Sequence, residues 1–286
     1  MSIDSHQQIT AVVLTHDEEA NIRNCLVHLD WVNRIVVVDS GSTDRTIDIA
    51  NEFSCDVYAN PWHGFAAQRN WALDNTGITS QWVLFVDADE VITPELRSEI
   101  GRTLRTTVFS AFYLCSKVIL FGQWVKRSSN FPVWHPRLLR MGKARFRDAV
   151  TGHGETWEVY GETGYLQTPY IHYSFSKGIG FWFAKHNRLS DLECKAYLNN
   201  KHALPGRLRI LFGKDRHKRR QAMRALSYIF TFRAFFRFVH QYIIRGGILD
   251  GAAGWTYCAL YFAYEIMISA KIKEKSSGHA PAPIDR

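Results

Sequence analysis

The chain has 286 residues, 46% of them hydrophobic, which is enough for a full core in one or two domains. Its formal net charge of +8 is uneven, since residues 201–286 hold 16 Lys and Arg against 5 Asp and Glu. Five scattered cysteines without a Cys-x-x-Cys pair argue against a disulfide framework and favour a reduced, cytosolic protein. Residues 1–8 lack the basic and apolar segments of a signal peptide, so they predict no export.

Short apolar runs alternate with helical patterns in the N-terminal part of the chain. The runs are residues 9–14, 34–38, 56–59 and 82–86. Helical spacing of apolar residues follows the first two runs, and Gly64 to Asn75 predicts another helix. The predicted order is β-α-β-α-β-α-β. Right-handed crossovers then give a Rossmann-like parallel sheet with its acidic turns on one rim.

The first two turns indicate which part of a nucleotide this rim would bind. The turn after the first strand reads Thr15-His16-Asp17-Glu18-Glu19 and has neither a dinucleotide Gly-x-Gly-x-x-Gly nor a Walker Gly-x-x-x-x-Gly-Lys motif. A turn rich in carboxylates repels a naked phosphate, but it suits hydrogen bonding to a base or a ribose. The second turn, residues 39–44, contains Gly41 for a tight bend, and Thr43 or Asp44 can cap the next helix.

Two carboxylates follow the fourth apolar run, in Asp87-Ala88-Asp89. Mg²⁺ and Mn²⁺ prefer oxygen ligands and are commonly held by one or two carboxylates plus the phosphates of a substrate. At the carboxyl end of a buried strand, the pair predicts a site for a metal and a phosphate. A solvated loop or a helix cap is the structural alternative.

Residues 13–21, 35–46, 64–70 and 86–90 together resemble glycosyltransferase family 2, and most closely its bacterial branch acting on lipopolysaccharide core or exopolysaccharide. The resemblance continues more loosely through Pro136-Arg137-Leu138, Glu155 and His172-Tyr173. It implies an A-type, Rossmann-like α/β fold with a mostly parallel sheet flanked by helices. It also implies an inverting transferase that uses a nucleotide-diphosphate sugar and a divalent metal, Mg²⁺ or Mn²⁺.

The resemblance assigns most residues of the rim to the donor, with Asp39 against the base and Asp44 helping to close the pocket. Helix capping by Thr15 and Asp44 and a surface position for Arg69 are the structural alternatives. The implied donor-binding residues are Thr15, Glu18, Glu19, Asp39, Asp44, Gln68, Arg69 and Asp87.

The metal is implied at Asp89, with Asp87 facing the ribose or joining as a ligand. His172 would supply an imidazole from late in the chain, although a lone histidine followed by aromatic residues is more typical of packing.

Inversion requires a base that takes the proton of the acceptor hydroxyl. Residues 151–157 resemble the His-Glu segment of the family, but Gly154 separates His153 from Glu155. The distance to Gly161 favours Glu155 as the catalytic carboxylate and leaves the role of His153 open. Asp148 is the rival base, although a salt bridge with the neighbouring arginines is the simpler explanation of this residue.

The strongly basic part, residues 201–275, is predicted as an amphipathic helical region after a catalytic domain of residues 9–200. A helix is expected from about Gln221 to Arg245, with Arg233, Arg237 and Arg245 on four-residue spacing. The apolar stretch Ala252–Ala270 contains Glu265 and is not an obvious membrane span. Attachment to an anionic membrane surface is favoured over a helical subdomain packed on the sheet, and nucleic-acid binding is disfavoured. Residues 276–286 are expected to be a disordered tail.

These patterns predict a metal-dependent inverting glycosyltransferase at the cytoplasmic face of the bacterial inner membrane. UDP-glucose is the leading donor by resemblance, and the acceptor would be a hydroxyl of a lipid-linked or lipopolysaccharide-core glycan. Transfer to a polyprenyl phosphate, for which Glu155 need not act as a base, is one alternative. A catalytically silent module that binds glycan or membrane is the other.

Overall fold

The computed structural model describes residues 8–148, 155–200 and 232–277. Eleven strands lie in these ranges: β1 Ile9–Thr15, β2 Arg34–Asp39, β3 Asp56–Ala59, β4 Trp82–Asp87, β5 Glu90–Val91, β6 Ala111–Leu120, β7 Gln123–Trp124, β8 Trp134–Arg140, β9 Ala144–Asp148, β10 Glu155–Val159 and β11 Thr163–His172. The α-helices in these ranges are α1 Ile22–Val27, α2 Thr46–Asn51, α3 Phe65–Asn75, α4 Pro94–Thr106, α5 Gly178–Asn200, α6 Arg233–Val239 and α7 Gly251–Ser276.

The first four strands form the parallel part of the main sheet, in the order β3-β2-β1-β4. Every residue of β1 is buried, because helices cover both faces of this part of the sheet. Val13 belongs to the core beneath α1 and α4, whereas Val12 belongs to the core beneath α3. The predicted β-α-β-α-β-α-β order is confirmed, and the turns that follow β1, β2 and β4 meet at one edge of the sheet.

The second half of the sheet is mixed, and this half departs from the mostly parallel sheet that the resemblance implies. β8 pairs antiparallel with both β4 and β6, β11 pairs parallel with β6, and β5 pairs antiparallel with β11. The chain turns back sharply after β6 at Phe121 and Gly122, whose φ angles are 53° and 73°. Two successive positive φ angles are the requirement of a type I′ hairpin turn, which joins β6 to the antiparallel β7. β9 and β10 form a separate antiparallel ribbon.

The C-terminal helices pack against the C-terminal end of β6. α7 contacts α5, and Val118 and Leu120 of β6 share an apolar cluster with Ala253 and Tyr257 of α7. Residues 221–231 of the helix expected from about Gln221 to Arg245 lie outside the described residues. Of the others, Arg233–Val239 form α6, and a π-helical turn, His240–Ile244, follows. A 3-10 turn, Gly247–Asp250, leads into α7. Among the described helices, none is long and apolar enough to cross a membrane.

Candidate active site

Three polar residues stand at the same level on neighbouring parallel strands. Thr15 is paired in register with Asp39, and Leu14, one residue before it, is paired with Asp87. Carboxyl ends of parallel strands at such a rim are the usual ligand-binding place of an open α/β sheet. The hydroxyl oxygen of Thr15 is buried and has no hydrogen-bond partner among the described residues, which leaves it available to a ligand.

Hydrogen bonds to acidic side chains join the turn after β1 to the turn after β2. Oδ1 of Asp17 accepts a hydrogen bond from the backbone N–H of Thr43 at 2.7 Å, which holds the pKa of Asp17 below its usual value. The backbone N–H of Glu19 donates to Oδ2 of Asp44 at 3.0 Å, and the backbone N–H of Arg45 donates to Oε2 of Glu19 at 3.2 Å. Glu19 and Asp44, both expected to line the donor pocket, therefore fix the shape of its wall.

Asp39 is buried and shapes the second turn. Its Oδ2 accepts hydrogen bonds from the backbone N–H groups of Gly41 and Ser42, each at 2.8 Å. Gly41 has a φ of 89°, a left-handed conformation that favours glycine. The carboxylate is thus held in place at the rim by backbone N–H groups. Asp39 is the residue for which the resemblance implies contact with the base.

Three successive residues of α3 reach three different parts of the site. The side-chain amide of Gln68 donates to the hydroxyl of Ser40 at 3.0 Å and accepts from the amide of Asn60 at 2.7 Å. Arg69, fully buried, donates to Oδ1 of Asp87 at 2.9 Å. Asn70 exchanges two hydrogen bonds with the backbone of Phe146 on β9. The surface alternative for Arg69 is therefore wrong.

Asp87 is held between two guanidinium groups. Its Oδ2 accepts from Arg137 at 2.7 Å, and Arg137 also donates to Oε1 of the buried Glu90 at 2.7 Å. Burial acts to raise the pKa of Asp87, but Arg137 and Arg69 outweigh it and lower that pKa well below its usual value. Burial raises the pKa of Glu90. Because both oxygens of Asp87 have guanidinium partners, Asp87 fits the role of a positioning residue better than that of a direct metal ligand.

Asp89 lies against His172 across the end of the sheet. Its Oδ2 is 3.3 Å from Nε2 of His172, and its backbone carbonyl accepts from the N–H of Tyr173 at 2.8 Å. Burial opposes the charge on Asp89, but His172 overrides this and lowers the pKa of Asp89. Asp89 in turn raises the pKa of His172 against the effect of burial. The sequence thus predicted two residues, 83 positions apart, that the fold brings together.

This pair fits a divalent cation of the Mg²⁺ or Mn²⁺ kind. A carboxylate oxygen and an imidazole nitrogen are both ligands for such ions, which commonly leave their remaining positions to water and substrate phosphates. Within residues 8–148, 155–200 and 232–277, no group of three or more His, Cys, Asp or Glu forms a metal cage made of protein alone. The donor set therefore fits an ion shared with a ligand.

Glu18 makes a contact that the sequence did not indicate. Its Oε1 accepts from Nζ of Lys177 at 2.6 Å, and both side chains are largely buried. Burial raises the pKa of Glu18, whereas Lys177 lowers it. This ion pair joins the turn after β1 to the segment that leads from β11 into α5.

The two candidate bases lie opposite each other on the β9–β10 ribbon. Glu155 is paired in register with Asp148. The neighbouring arginines of β9 pair with Asp74 and Glu158 rather than with Asp148, so the salt-bridge interpretation of Asp148 is wrong for these partners. A Cβ atom added at Gly64 would lie 3.9 Å from Oδ1 of Asp148, which places that carboxylate at the start of α3. His153 lies outside the described residues.

Sequence reasoning did not assign Arg137 to the site, although it stands as a cation inside the buried stretch of β8. A charged residue between apolar neighbours in a strand is the signal that could have found it. His135, two residues earlier, borders the same cluster. Burial, reinforced by Arg137, lowers the pKa of His135 to about 3, so its imidazole is neutral near pH 7.

We expect Arg137→Met to destabilise the fold by about 3–5 kcal/mol, because it leaves the buried carboxylate of Glu90 without its guanidinium partner. The matched control is Arg147→Met, which breaks an ion pair of similar length, 2.6 Å, on the surface. This control should change stability little. Urea unfolding of both variants measures the difference, and equal stability of the two would contradict the structural role of Arg137.

Comparison with known proteins identifies the sequence family. The model of "Glycosyl transferase family 2" matches residues 10–165, which is more than half of the chain. The chain belongs to glycosyl transferase family 2. The matched residues include the rim from Thr15 to Asp89 and the ribbon that bears Glu155, and the mixed α/β sheet agrees with an A-type glycosyltransferase fold. His172 and Lys177 lie beyond the match.

Relatives of this family 2 chain are similar over limited stretches. An uncharacterized glycosyltransferase of Rickettsia felis is 35% identical over 95 residues, 33% of each chain. The lipopolysaccharide core biosynthesis glycosyltransferase LpsC of Rhizobium meliloti is 27% identical over 144 residues, 48% of this chain and 53% of LpsC. The chain thus spans about a third to a half of the length of these relatives.

Among solved structures, Staphylococcus aureus TarS 1–349 in complex with UDP-GlcNAc is similar to this family 2 chain. It has a TM-score of 0.48 and 14% sequence identity, and the similarity covers 96% of this chain and 93% of that one.

Proposed function

We propose that this chain is a metal-dependent inverting glycosyltransferase. It moves a sugar from a nucleotide-diphosphate donor to a hydroxyl of an acceptor glycan. The proposal rests on one observation above all: in a family 2 chain, Asp89 and His172 meet at the rim beside the Asp87 ion network, 3.3 Å apart.

The donor would lie across the rim with its nucleoside in the pocket of the first two turns. Thr15 offers an unpartnered hydroxyl, and Asp39 offers a carboxylate fixed by backbone N–H groups. Glu18, paired with Lys177, would stand near the ribose and the phosphates. UDP-glucose is the donor that we propose first, on the resemblance of the rim motifs.

Asp89 and His172 would hold Mg²⁺ or Mn²⁺ at the diphosphate. When bound, the ion neutralises charge on the phosphate oxygens and so favours departure of the nucleoside diphosphate. Asp87, locked by Arg69 and Arg137, keeps the turn that carries Asp89 in place.

Glu155 would act as the general base, taking the proton of the acceptor hydroxyl as that oxygen attacks the anomeric carbon. Asp148, its partner in the ribbon, is the second candidate. The ribbon is tied to the donor side of the molecule through Asn70, so base and donor are held by connected elements.

The acceptor that we propose is a lipid-linked or lipopolysaccharide-core glycan of a bacterial surface polysaccharide. The similarity to LpsC, a lipopolysaccharide core biosynthesis glycosyltransferase, supports this choice. Such acceptors would place the protein at the cytoplasmic face of the inner membrane.

A thermal-shift screen with UDP-, GDP- and dTDP-sugars, with and without Mn²⁺, tests the donor. We expect one nucleotide class to raise the Tm in a Mn²⁺-dependent manner, since a ligand at 100 times its Kd adds about 2.7 kcal/mol of stability. Slow hydrolysis of the same donor should accompany it. If no sugar nucleotide raises the Tm and none is hydrolysed, the chain is not a transferase of this kind and the silent-module alternative is favoured.

A further inference from the structure

Large apolar side chains lie exposed along the C-terminal helices, from α6 to the start of α7. We call this set the outer apolar face. Their exposed fractions lie between 52% and 71%. Its members are Phe232, Phe235, Phe236, Ile243, Ile244, Ile248, Leu249 and Trp255.

The exposed positions follow helical geometry rather than chance. Phe232, Phe235 and Phe236 recur at spacings of three and four residues, which places them on one side of α6, and Ile243 and Ile244 follow in the π-helical turn. On α7, Trp255 and Ile266 are exposed by 52% and 47%. A water-facing side normally shows the opposite composition, and large exposed apolar patches mark interaction sites.

Several polar residues of the same helices are turned inward. Glu265 of α7 is buried and forms ion pairs with both Arg233 and Arg237 of α6. Gln241 is buried and donates to the backbone carbonyl of Ser128 at 3.2 Å. Arg233 and Arg237, two cations of the helix expected from about Gln221 to Arg245, are therefore neutralised by Glu265 within the protein. Among the polar residues of α6 and the π-helical turn after it, His240 remains exposed beside the apolar side chains.

The outer apolar face is fixed to the catalytic domain. Oδ2 of Asp250 accepts from the backbone N–H groups of Arg127 and Ser128 at 2.8 and 2.7 Å. A Cβ atom at Gly254 would lie only 2.4 Å from the carbonyl oxygen of Gly247, so the 3-10 turn and α7 are in close backbone contact. The exposed side chains are thus carried by a tightly packed bend, the 3-10 turn Gly247–Asp250 and the start of α7.

This bend lies next to the candidate active site. His172 is paired in register with Val118 of β6. Val118 packs in one cluster with Ala253 and Tyr257 of α7. One strand therefore separates the candidate metal ligand from the helix that carries the outer apolar face.

The charge around this face is positive. In residues 232–277, the carboxylates of Asp250 and Glu265 have inward partners, and the exposed charges are those of Arg245, Lys273 and Lys275 against one exposed carboxylate, Glu274. By sequence, residues 201–231 directly before Phe232 add nine Lys and Arg against one Asp. Exposed aromatic and aliphatic side chains flanked by cations match the chemistry of an anionic lipid surface, in which apolar groups insert shallowly and cations meet headgroups.

We propose that the outer apolar face inserts into the headgroup region of an anionic bilayer and holds the active-site edge at the membrane surface. The occupant is lipid, and the charge of the flanking residues selects anionic headgroups. This inference does not depend on the proposed transfer reaction, because lipid binding needs neither donor nor metal.

The test is sedimentation of the full chain with vesicles of neutral phosphatidylcholine and of phosphatidylcholine mixed with phosphatidylglycerol. The wild type should bind the anionic vesicles and bind neutral ones at least tenfold more weakly. Added salt should weaken this binding without abolishing it, because charges are screened and inserted apolar groups are not.

The variant Ile244→Glu/Leu249→Glu should lose vesicle binding at least tenfold. Its matched control is Val27→Glu/Val108→Glu, which adds the same charges at apolar residues that are 52% and 82% exposed elsewhere, and it should bind like the wild type. Phe235→Ser/Phe236→Ser gives a second, uncharged variant, and thermal melts of all variants check folding.

Four results would overturn the proposal. The first is unchanged vesicle binding by either folded patch variant, and the second is equal wild-type binding to neutral and anionic vesicles. Another is a wild-type dimer by light scattering that the patch variants convert to monomer without any vesicle binding, which would assign the face to a second copy. The last is a patch variant that loses thermal stability while the wild type ignores vesicles, which would mean that another segment of the chain covers the face. Donor-induced stabilisation is measured separately and is untouched by these outcomes.

Discussion

Replacing Asp89 with Asn should reduce metal-dependent donor turnover by about two to three orders of magnitude. The substitution keeps the shape of the side chain but removes the charge that, beside His172, would hold the cation. A bound cation supplies several kcal/mol of charge stabilisation, and each step of about 1.4 kcal/mol changes the rate tenfold. Turnover assays and a direct titration of Mn²⁺ by calorimetry should both register the loss, while the circular dichroism spectrum stays that of the wild type.

Asp30→Asn is the matched control for this prediction. It makes the same chemical change on a side chain that is 75% exposed and only 3.6 Å from a surface arginine, Arg97. It should leave both turnover and Mn²⁺ affinity unaltered. Near-normal turnover or Mn²⁺ affinity in the folded Asp89 variant would remove Asp89 from the metal site.

The second large effect is expected from Glu155→Gln. If Glu155 takes the proton of the acceptor, kcat should fall by about 100-fold or more, since general acid–base catalysis commonly contributes that much. Donor affinity should stay close to that of the wild type, because the base acts on the acceptor. Steady-state kinetics with a hydroxyl acceptor, together with donor binding by thermal shift, separate the two quantities.

The Glu155→Gln variant has to be compared with Asp148→Asn, because Asp148 stands directly opposite Glu155 in the ribbon. A loss of kcat confined to Asp148→Asn would move the base to that position. An equal loss of donor affinity in Glu155→Gln would mean that Glu155 supports the structure instead. Full activity of Glu155→Gln on a phosphate acceptor would favour the polyprenyl-phosphate alternative.

The parallel half of the fold could be predicted from the sequence because each of its strands is a short apolar run that ends in a polar turn. β1, β2 and β4 each extend just one residue beyond the predicted run, to Thr15, Asp39 and Asp87. The mixed half could not be predicted in this way. The chain first reverses at the hairpin that starts at Phe121, and β8 then runs antiparallel to β4 and β6. One sequence gives little indication of a positive φ at a phenylalanine.

The candidate site was predictable where a motif concentrates polar residues, and not where the fold supplies a partner from far along the chain. Asp87 and Asp89 stand out as a local pair. Arg137, by contrast, meets Asp87 only because β8 lies beside β4. Lys177 meets Glu18 across 159 residues of sequence, a distance over which no pattern in a single chain is informative.

The C-terminal region shows a different limit of sequence reasoning. The four-residue spacing of Arg233 and Arg237 places these two cations on one side of α6. Spacing alone does not reveal which way that side faces. Glu265, noted in the sequence only as a reason to doubt a membrane span, is the residue that turns these two cations inward.

The three connections of α3 have a consequence for how this domain can change during evolution. An α-helix advances about 100° with each residue, so Gln68, Arg69 and Asn70 face three directions, toward the second turn, β4 and β9. Adding or removing one residue between Gly64 and Gln68 would swing all three side chains away from their partners together. The number of residues between Gly64 and Gln68 is therefore constrained far more tightly than their identity. A lineage that kept the Asp-x-Asp turn but lost this register would keep the motif without the geometry that aligns it.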